Sequence, residues 1–493
     1  MPEYAIPFPA DPVALFAALR ARLPGAVWLD GAAGGDYSLL AAEPAEVLVS
    51  RDGTTWQWPG MPAAADATSG GRCLGDGDPL ALLQARLDAR AAARRQAAGA
   101  PESSCPPFAR GAIGYFSYEL GRRLQGQSPA PLSDDVGHAA DTPEMAVGLY
   151  DWAIVVDHRR ERARLTGTPP AGLAAWLADA PAGAPGPWQA TGAVVAGPDE
   201  PAYAAAFARV MDYLRAGDCY QINLARRLRA PFRGDPLAVY ARFRALAGGP
   251  FAAYLDLPGG PVLSGSPERF LRLRDGAVET QPIKGTRRRA ATPAADARVR
   301  EALLASAKDR AENIMIVDLL RNDIGRSCAT GSVRVPALCR LESFATVHHM
   351  VSTVTGQLAR GRNATDLLRD CLPGGSITGA PKYRAMEIIA ELEGAARGVY
   401  CGAIGYLGED GAMDTSIAIR TLTARDGWLE YHAGGGLVVD SRCQAEFEET
   451  ESKAVAFRQL IEESAAAVAA GQHSGDRTVM MQTQPHGAPV SRR

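Results

Sequence analysis

From about residue 250 onward the chain breaks into short apolar runs with turn residues between them, and this punctuation limits the fold more than any other feature. Phe251 to Leu255, Val262-Leu263-Ser264, Phe270 to Leu273 and Ala277 to Thr280 follow one another closely. Short runs bounded by turn residues read as strands, and such brief connections suit antiparallel neighbours. Tyr220 to Leu228, Val347 to Leu358, Ala403 to Leu407, Met413 to Leu422 and Trp428 to Val439 read the same way, as do Val27 to Leu29, Tyr37 to Ala41, Glu46 to Val49, Gly111 to Phe116 and Met145 to Tyr150 nearer the N-terminus. Helical spacing marks Pro79 to Ala97, Tyr203 to Ala216, Thr365 to Cys371, Lys382 to Leu392 and Cys443 to Ala469. A long helix is expected within Ala295 to Ile324, with Leu303, Leu304, Ala307, Ala311, Ile314 and Met315 as its apolar stripe. The pattern is α+β rather than a βαβ repeat. A chain of 493 residues allows two domains or one large multilayer fold. The Gly-, Pro- and Ala-rich stretch from Ala180 to Pro198 divides an N-terminal region, 1–190, from a second region, 195–470, and the polar, aperiodic residues 472–493 read as a disordered tail.

The basic residues are biased in a way that singles out one amine. Only four of 52 are lysines, namely Lys284, Lys308, Lys382 and Lys453, and the rest are arginines. An ammonium can lose its proton and attack carbon, whereas a guanidinium stays protonated and planar. Lys284, in Gln281-Pro282-Ile283-Lys284-Gly285-Thr286, is the first candidate for a site that needs an amine. A net charge of −3 offers no basic face for nucleic acid. The eight cysteines are scattered without a C-x-x-C pair, which fits reduced thiols in the cytoplasm. The sequence contains no apolar run long enough for a membrane span.

Carboxylates recur at helical spacing. Asp309 and Glu312 are three apart, as are Glu446 and Glu449, with Lys453 one turn beyond. Two such faces meeting would gather hard oxygen donors suited to Mg²⁺, which shares its coordination with anionic substrates. Taken alone, Glu449 and Lys453 could equally be a solvated ion pair. Gly374-Gly375-Ser376 belongs to a glycine-rich turn that opens a helix and offers backbone N–H groups to an anion; because it ends in Pro381-Lys382-Tyr383, it is not a P-loop. Gly434-Gly435-Gly436 is expected to end a strand, either giving close backbone approach to a ligand or making a tight turn or bulge. Arg420, within an apolar strand, suits a carboxylate clamp. His348 and His349 are adjacent in a strand, so only one ring faces a site.

Together these strings resemble the chorismate-utilising enzymes. The resemblance rests on Asp218 to Leu224 (DCYQINL), Ser264 to Arg269 (SGSPER), the Lys284 motif, Lys308 to Arg326, Gly374 to Lys382 and Gln444 to Lys453, in the family's order over residues ~200–460. It implies two face-to-face sheets with helices outside and an N-terminal region interleaved with the rest. It also implies Mg²⁺ on Glu312 and Glu449, with Asp309 and Glu446 behind them, meeting the ring carboxylate of chorismate. Lys453, Gly375 and Ser376 assist there. Arg420, Tyr400, Gly434 and Gly436 hold the pyruvyl carboxylate, and His349, Thr286 and Gln221 complete the substrate wall. Glu268 is the general acid and Lys284 the nucleophile. The segment Tyr37 to Pro44 matches only in part the pocket where relatives bind tryptophan.

Two positions separate the family's branches. Members that add water carry a lysine base where this chain has Gln221, and anthranilate-forming members carry alanine where it has Lys284. The resemblance therefore points to the branch that aminates chorismate to 4-amino-4-deoxychorismate, toward 4-aminobenzoate and folate. No glutaminase signature is fused to the chain, so ammonia is expected from a separate glutamine amidotransferase subunit. An anthranilate-forming chain, which releases pyruvate, and a non-catalytic metabolite-binding member are the alternatives.

Overall fold

The computed structural model describes residues 4–31, 33–62, 70–98, 107–128, 142–344 and 347–479. Two large sheets form the centre, and among the described residues their strands pair antiparallel, as between Val27–Asp30 and Phe251–Leu255 or Gly111–Phe116 and Ala403–Gly408. Among the described residues the first sheet has 13 strands and the second 12, and both mix strands from before and after residue 190. In the first, Tyr37–Ala41 and Val27–Asp30 run beside Phe251–Leu255, Val262–Ser266, Thr421–Arg425, Trp428–Leu437 and the long strand Gln221–Gly234. In the second, Ile283–Arg288, Val347–Gln357, Ala277–Thr280, Arg269–Arg274, Met413–Ile417 and Ala403–Gly408 lead on to Gly111–Phe116 and Met145–Tyr150.

Strand alternation explains the layering. Val27 and Leu39 join Ile113, Tyr115, Val155, Leu255 and Ile404 in a core between the two sheets. Their neighbours Trp28 and Leu40 point the other way, into a core shared with helices bearing Phe16, Tyr240, Phe243 and Phe457. Each strand is thus apolar on both faces, which is why its sequence shows a continuous apolar run. No helix among the described residues is long and apolar enough to cross a membrane.

Several elements differ from the sequence reading. The stretch 180–198 contains Trp188–Ala190 and Val195–Gly197, both paired to the long strand Gln221–Gly234, so the proline-rich segment is stitched onto the first sheet. The long helix is two, Pro293–Ala305 and Ala307–Gly325, divided at Ser306, whose extended backbone lets its hydroxyl cap Asp309 N–H. The buried face of the second helix is Asn313, Ile316, Val317, Leu320 and Ile324; Ala311, Ile314 and Leu304 of the expected stripe are exposed. The closing helix runs from Cys443 to Val479, so residues 472–479 of the expected tail are helical, and 480–493 lie outside the described residues.

Two breaks position the site. The expected strand from Met413 to Leu422 is two strands in different sheets, Met413–Ile417 and Thr421–Arg425, and Arg420 turns the corner at φ +49°. Alongside it, Val262–Ser266 of the first sheet passes through Pro267 and Glu268 into Arg269–Arg274 of the second. The two crossings brace each other: Ile417 N–H donates to Glu268 O at 3.1 Å and Gly265 N–H to Arg420 O at 2.8 Å, and Ser266 Oγ donates to Ile417 O at 2.6 Å. Gly434-Gly435-Gly436 is not a turn: it lies within Trp428–Leu437, in register with Ala225, Leu224 and Asn223. A Cβ on Gly434 would lie 2.7 Å from Leu224 O, and one on Gly436 would lie 2.9 Å from the Gln221 amide, so close packing explains these two glycines.

Candidate active site

Glu268 sits at the seam between the sheets and is 6% exposed. Burial is the main influence on its carboxyl and raises it to about 7, against the pull of Lys284, of Ser376 and Ile283 N–H as hydrogen-bond donors, and of Lys453. Ser376 Oγ donates to Glu268 Oε1 at 3.0 Å. A carboxyl so placed can carry a proton at neutral pH, the state a general acid needs.

Lys284 lies in Ile283–Arg288, the edge of the second sheet, and its Nζ donates to Ser376 O at 3.3 Å. Desolvation lowers its pKa; Lys453 pushes the same way, while Glu268, Glu312 and Glu449 oppose it. Ser376 therefore meets both groups, with its hydroxyl on the acid and its carbonyl on the amine. Gly285 adopts φ +80°, and a Cβ there would lie 2.9 to 3.1 Å from Leu303 and Asp309, so the residue after the amine must be glycine for Ala307–Gly325 to pack close.

The carboxylates approach from two helices. Glu446 Oε2 and Glu449 Oε1 each lie 3.4 Å from where a Cβ on Gly435 would stand. Lys308 Nζ lies 3.8 Å from both Glu312 and Glu446, linking the helix Ala307–Gly325 to the closing helix. Burial raises the Glu312 carboxyl, Lys284 and Lys308 lower it, and Asp309 and Glu449 add to the rise. Burial also opposes ionisation of Glu449, but Lys453 at 2.6 Å outweighs it and the group is lowered overall. Lys453 Nζ also donates to Gly434 O at 2.9 Å. Asp309 is turned toward Arg287, at 2.7 Å. Among the described residues no group of three or more His, Cys, Asp or Glu side chains is gathered to hold an ion by itself. The donor set still fits Mg²⁺, which usually takes only one or two carboxylates and completes its shell with water and an anionic substrate. Glu446 and Glu449 offer those oxygens beside Gly435, and Glu312 reaches toward Glu446 through their shared neighbour Lys308.

The other candidates have these surroundings. His349 Nδ1 pairs with Thr286 Oγ1 at 2.8 Å, and burial, aided by Arg420 and His348, lowers the ring to about 4. It is therefore neutral at pH 7. His348 faces away, between Ser343 and Asp296 at 2.8 and 2.9 Å. Tyr400 stacks on His432 with centroids 5.0 Å apart. The Gln221 amide is fully buried against Gly436, and neither its nitrogen nor its oxygen has a hydrogen-bond partner. Gly375 packs tightly: a Cβ there would lie 2.5 Å from Leu319.

Lys382 lies apart from this chemistry. Its Nζ donates to Asp323 Oδ2 at 2.7 Å and to Cys371 O at 3.0 Å. Both partners are buried, so Lys382→Met leaves an unpaired carboxylate and is expected to cost about 3–5 kcal/mol of stability, read as a lower urea midpoint with an unchanged slope.

Sequence reasoning missed Arg397, which is buried and bonded to Ile377, Asn223 and Glu393. Among so many arginines, no local pattern marks it. A cavity of about 350 Å³ has Tyr37, Leu39, Pro267 and Ile283 in its wall.

An acid of raised pKa, a desolvated amine and carboxylates from two helices thus meet where the two antiparallel sheets adjoin. Residues 26–459 match the family of chorismate binding enzymes, and the chain belongs to that family. It is 45% identical to aminodeoxychorismate synthase component 1 of Klebsiella aerogenes over 85% of this chain and 88% of that protein. It is 46% identical to the protein of the same name from Salmonella typhimurium over 76% of this chain and 81% of that one. The solved structure of anthranilate synthase component I from Streptococcus pneumoniae matches with a TM-score of 0.70 and 30% identity, covering 85% of this chain and 92% of that one.

Proposed function

We propose that the chain aminates chorismate to 4-amino-4-deoxychorismate, as component I of a two-subunit enzyme that takes ammonia from a glutamine amidotransferase. The observation that carries this reading is the Lys284 amine, desolvated and sharing Ser376 with a Glu268 carboxyl raised to about 7. Glu312, Glu446 and Glu449 would hold Mg²⁺, with Asp309 behind Glu312; the metal's chemistry is to neutralise the ring carboxylate. Lys453 lies beside Glu449, and the Gly375–Ser376 turn closes that end. Arg420, Tyr400 and the backbone at Gly434 and Gly436 receive the pyruvyl carboxylate, with His349, Thr286 and Gln221 shaping the wall. Neutral Lys284 attacks the ring through Nζ as the ring C–O bond breaks, and Glu268 gives its proton to the departing hydroxyl, which leaves as water. Ammonia then displaces Lys284: a C–N bond to ammonia forms as the C–N bond to the enzyme breaks, Nζ leaves as the neutral amine, and the ammonium first formed on the product returns a proton to Glu268.

The partner reading is supported by the name component 1 that the two aminodeoxychorismate synthase relatives carry. Incubating the chain with chorismate, Mg²⁺ and ammonium, without any partner, is expected to give a product of unchanged carbon skeleton that carries nitrogen, identified by mass. Anthranilate with pyruvate would overturn the assignment in favour of the other branch, and no turnover would favour a binding protein.

A further inference from the structure

We propose that Arg397 is a positioning residue for this reaction, fixing the Ser376 turn against the long strand opposite Gly436 so that the serine hydroxyl stays on Glu268. Arg397 follows the helix Lys382–Glu393, which ends at left-handed Gly394, φ +57°. Its guanidinium is 2% exposed. One edge forks onto Glu393, with Nε to Oε2 at 2.8 Å and Nη2 to Oε1 at 2.7 Å. The other side reaches two backbone carbonyls that no ion pair requires: Ile377 O accepts from Nη1 at 3.1 Å, and Asn223 O accepts from Nη2 at 2.9 Å. Its own N–H donates to Glu119 at 2.8 Å, and its plane lies 4.7 Å from the Tyr118 ring.

Those carbonyls are what make the residue more than a structural ion pair. Ile377 directly follows Ser376, and Asn223 pairs with Gly436. Asn223 N–H also donates to Thr378 O at 2.8 Å, so the turn is tied to the strand at Thr378 directly and at Ile377 through Arg397. From there the path is short: Ser376 Oγ meets Glu268 and Ser376 O meets Lys284. Lysine could not replace this brace, because an ammonium radiates its donors from one point whereas the guanidinium spreads its donors across a plane.

The test reads the acid through its pH profile. The groups facing Glu268 are Lys284 on its strand and Lys453 on the closing helix, with Ser376 and Ile283 N–H as neutral donors. Losing the serine donor makes the carboxylate harder to form, so the basic limb of kcat/KM moves to higher pH. In Arg397→Lys that limb is expected to rise by about one unit, and kcat/KM at neutral pH to fall about tenfold. Ser376→Ala is expected to do the same, and the double variant no more than Ser376→Ala alone. A limb that stays in place in Arg397→Lys, or effects that add in the double variant, would overturn the proposal. Should Arg397→Lys not fold, Glu393→Gln keeps the side-chain volume, weakens the fork and is judged by the same limb. The inference rests on the proposed chemistry: a parent without turnover from chorismate removes that chemistry, whereas an active parent whose limb ignores Arg397 removes only this role.

Discussion

Glu268→Gln is expected to lower kcat for amination by about a hundred- to ten-thousandfold, the usual contribution of a positioned general acid. Glutamine keeps the volume and can still meet Ser376 Oγ and Ile283 N–H, so the fold should survive and the loss should lie in kcat rather than KM. The pH dependence makes the test specific. An acid must start protonated, so the parent should lose activity as pH rises through about 7, the value to which burial raises Glu268. The variant has no proton to lose there, and its residual rate should be flat over the same range. A variant within tenfold of the parent, or one that keeps the basic limb, would remove Glu268 from the role.

Lys284→Ala is expected to reduce amination by about a hundredfold and to abolish any covalent species between ring and enzyme. Chorismate added to the parent with ammonia withheld should give an enzyme of increased intact mass, which ammonium discharges; the variant should show no such mass. A parent that turns over without a trace of the adduct would refute covalent catalysis even if the variant were slow. The substitution should also act on its neighbour. Lys284 is the foremost positive influence on the Glu268 carboxyl, so its removal lets burial raise that carboxyl further and shifts the basic limb to higher pH. The same ammonium restrains the rise at Glu312, whose affinity for a cation should therefore change in the variant.

Most strands could be read from the sequence because alternation and turn residues are local properties. Sheet membership could not be. Met413 to Leu422 looks like one strand, yet it changes sheet at Arg420, and the break is set by its pairing with Glu268, some 150 residues away. The three glycines looked like a turn because glycine weakens a strand; packing against Leu224 and Gln221 explains Gly434 and Gly436, and Gly435 faces Glu446 and Glu449. The helix stripe was misjudged for a related reason: Ser306 interrupts the periodicity, and the face that turns inward carries a buried Asn313 among its apolar residues. Lysine scarcity was more informative. Lys284 and Lys453 act on the charge of Glu268, and Lys308 lies between two carboxylates. Lys382, the fourth, is a buried structural partner of Asp323, which scarcity alone could not distinguish.

The alternation of early and late strands in both sheets governs how the protein comes into being on the ribosome. Val27–Asp30 waits for Phe251–Leu255, and Gly111–Phe116 waits for Ala403–Gly408. Glu449 and Lys453 belong to the last helix. A nascent chain thus pairs these early strands only with much later ones, and the Lys284 amine gains its neighbours Glu449 and Lys453 only once the helix that starts at Cys443 has been made.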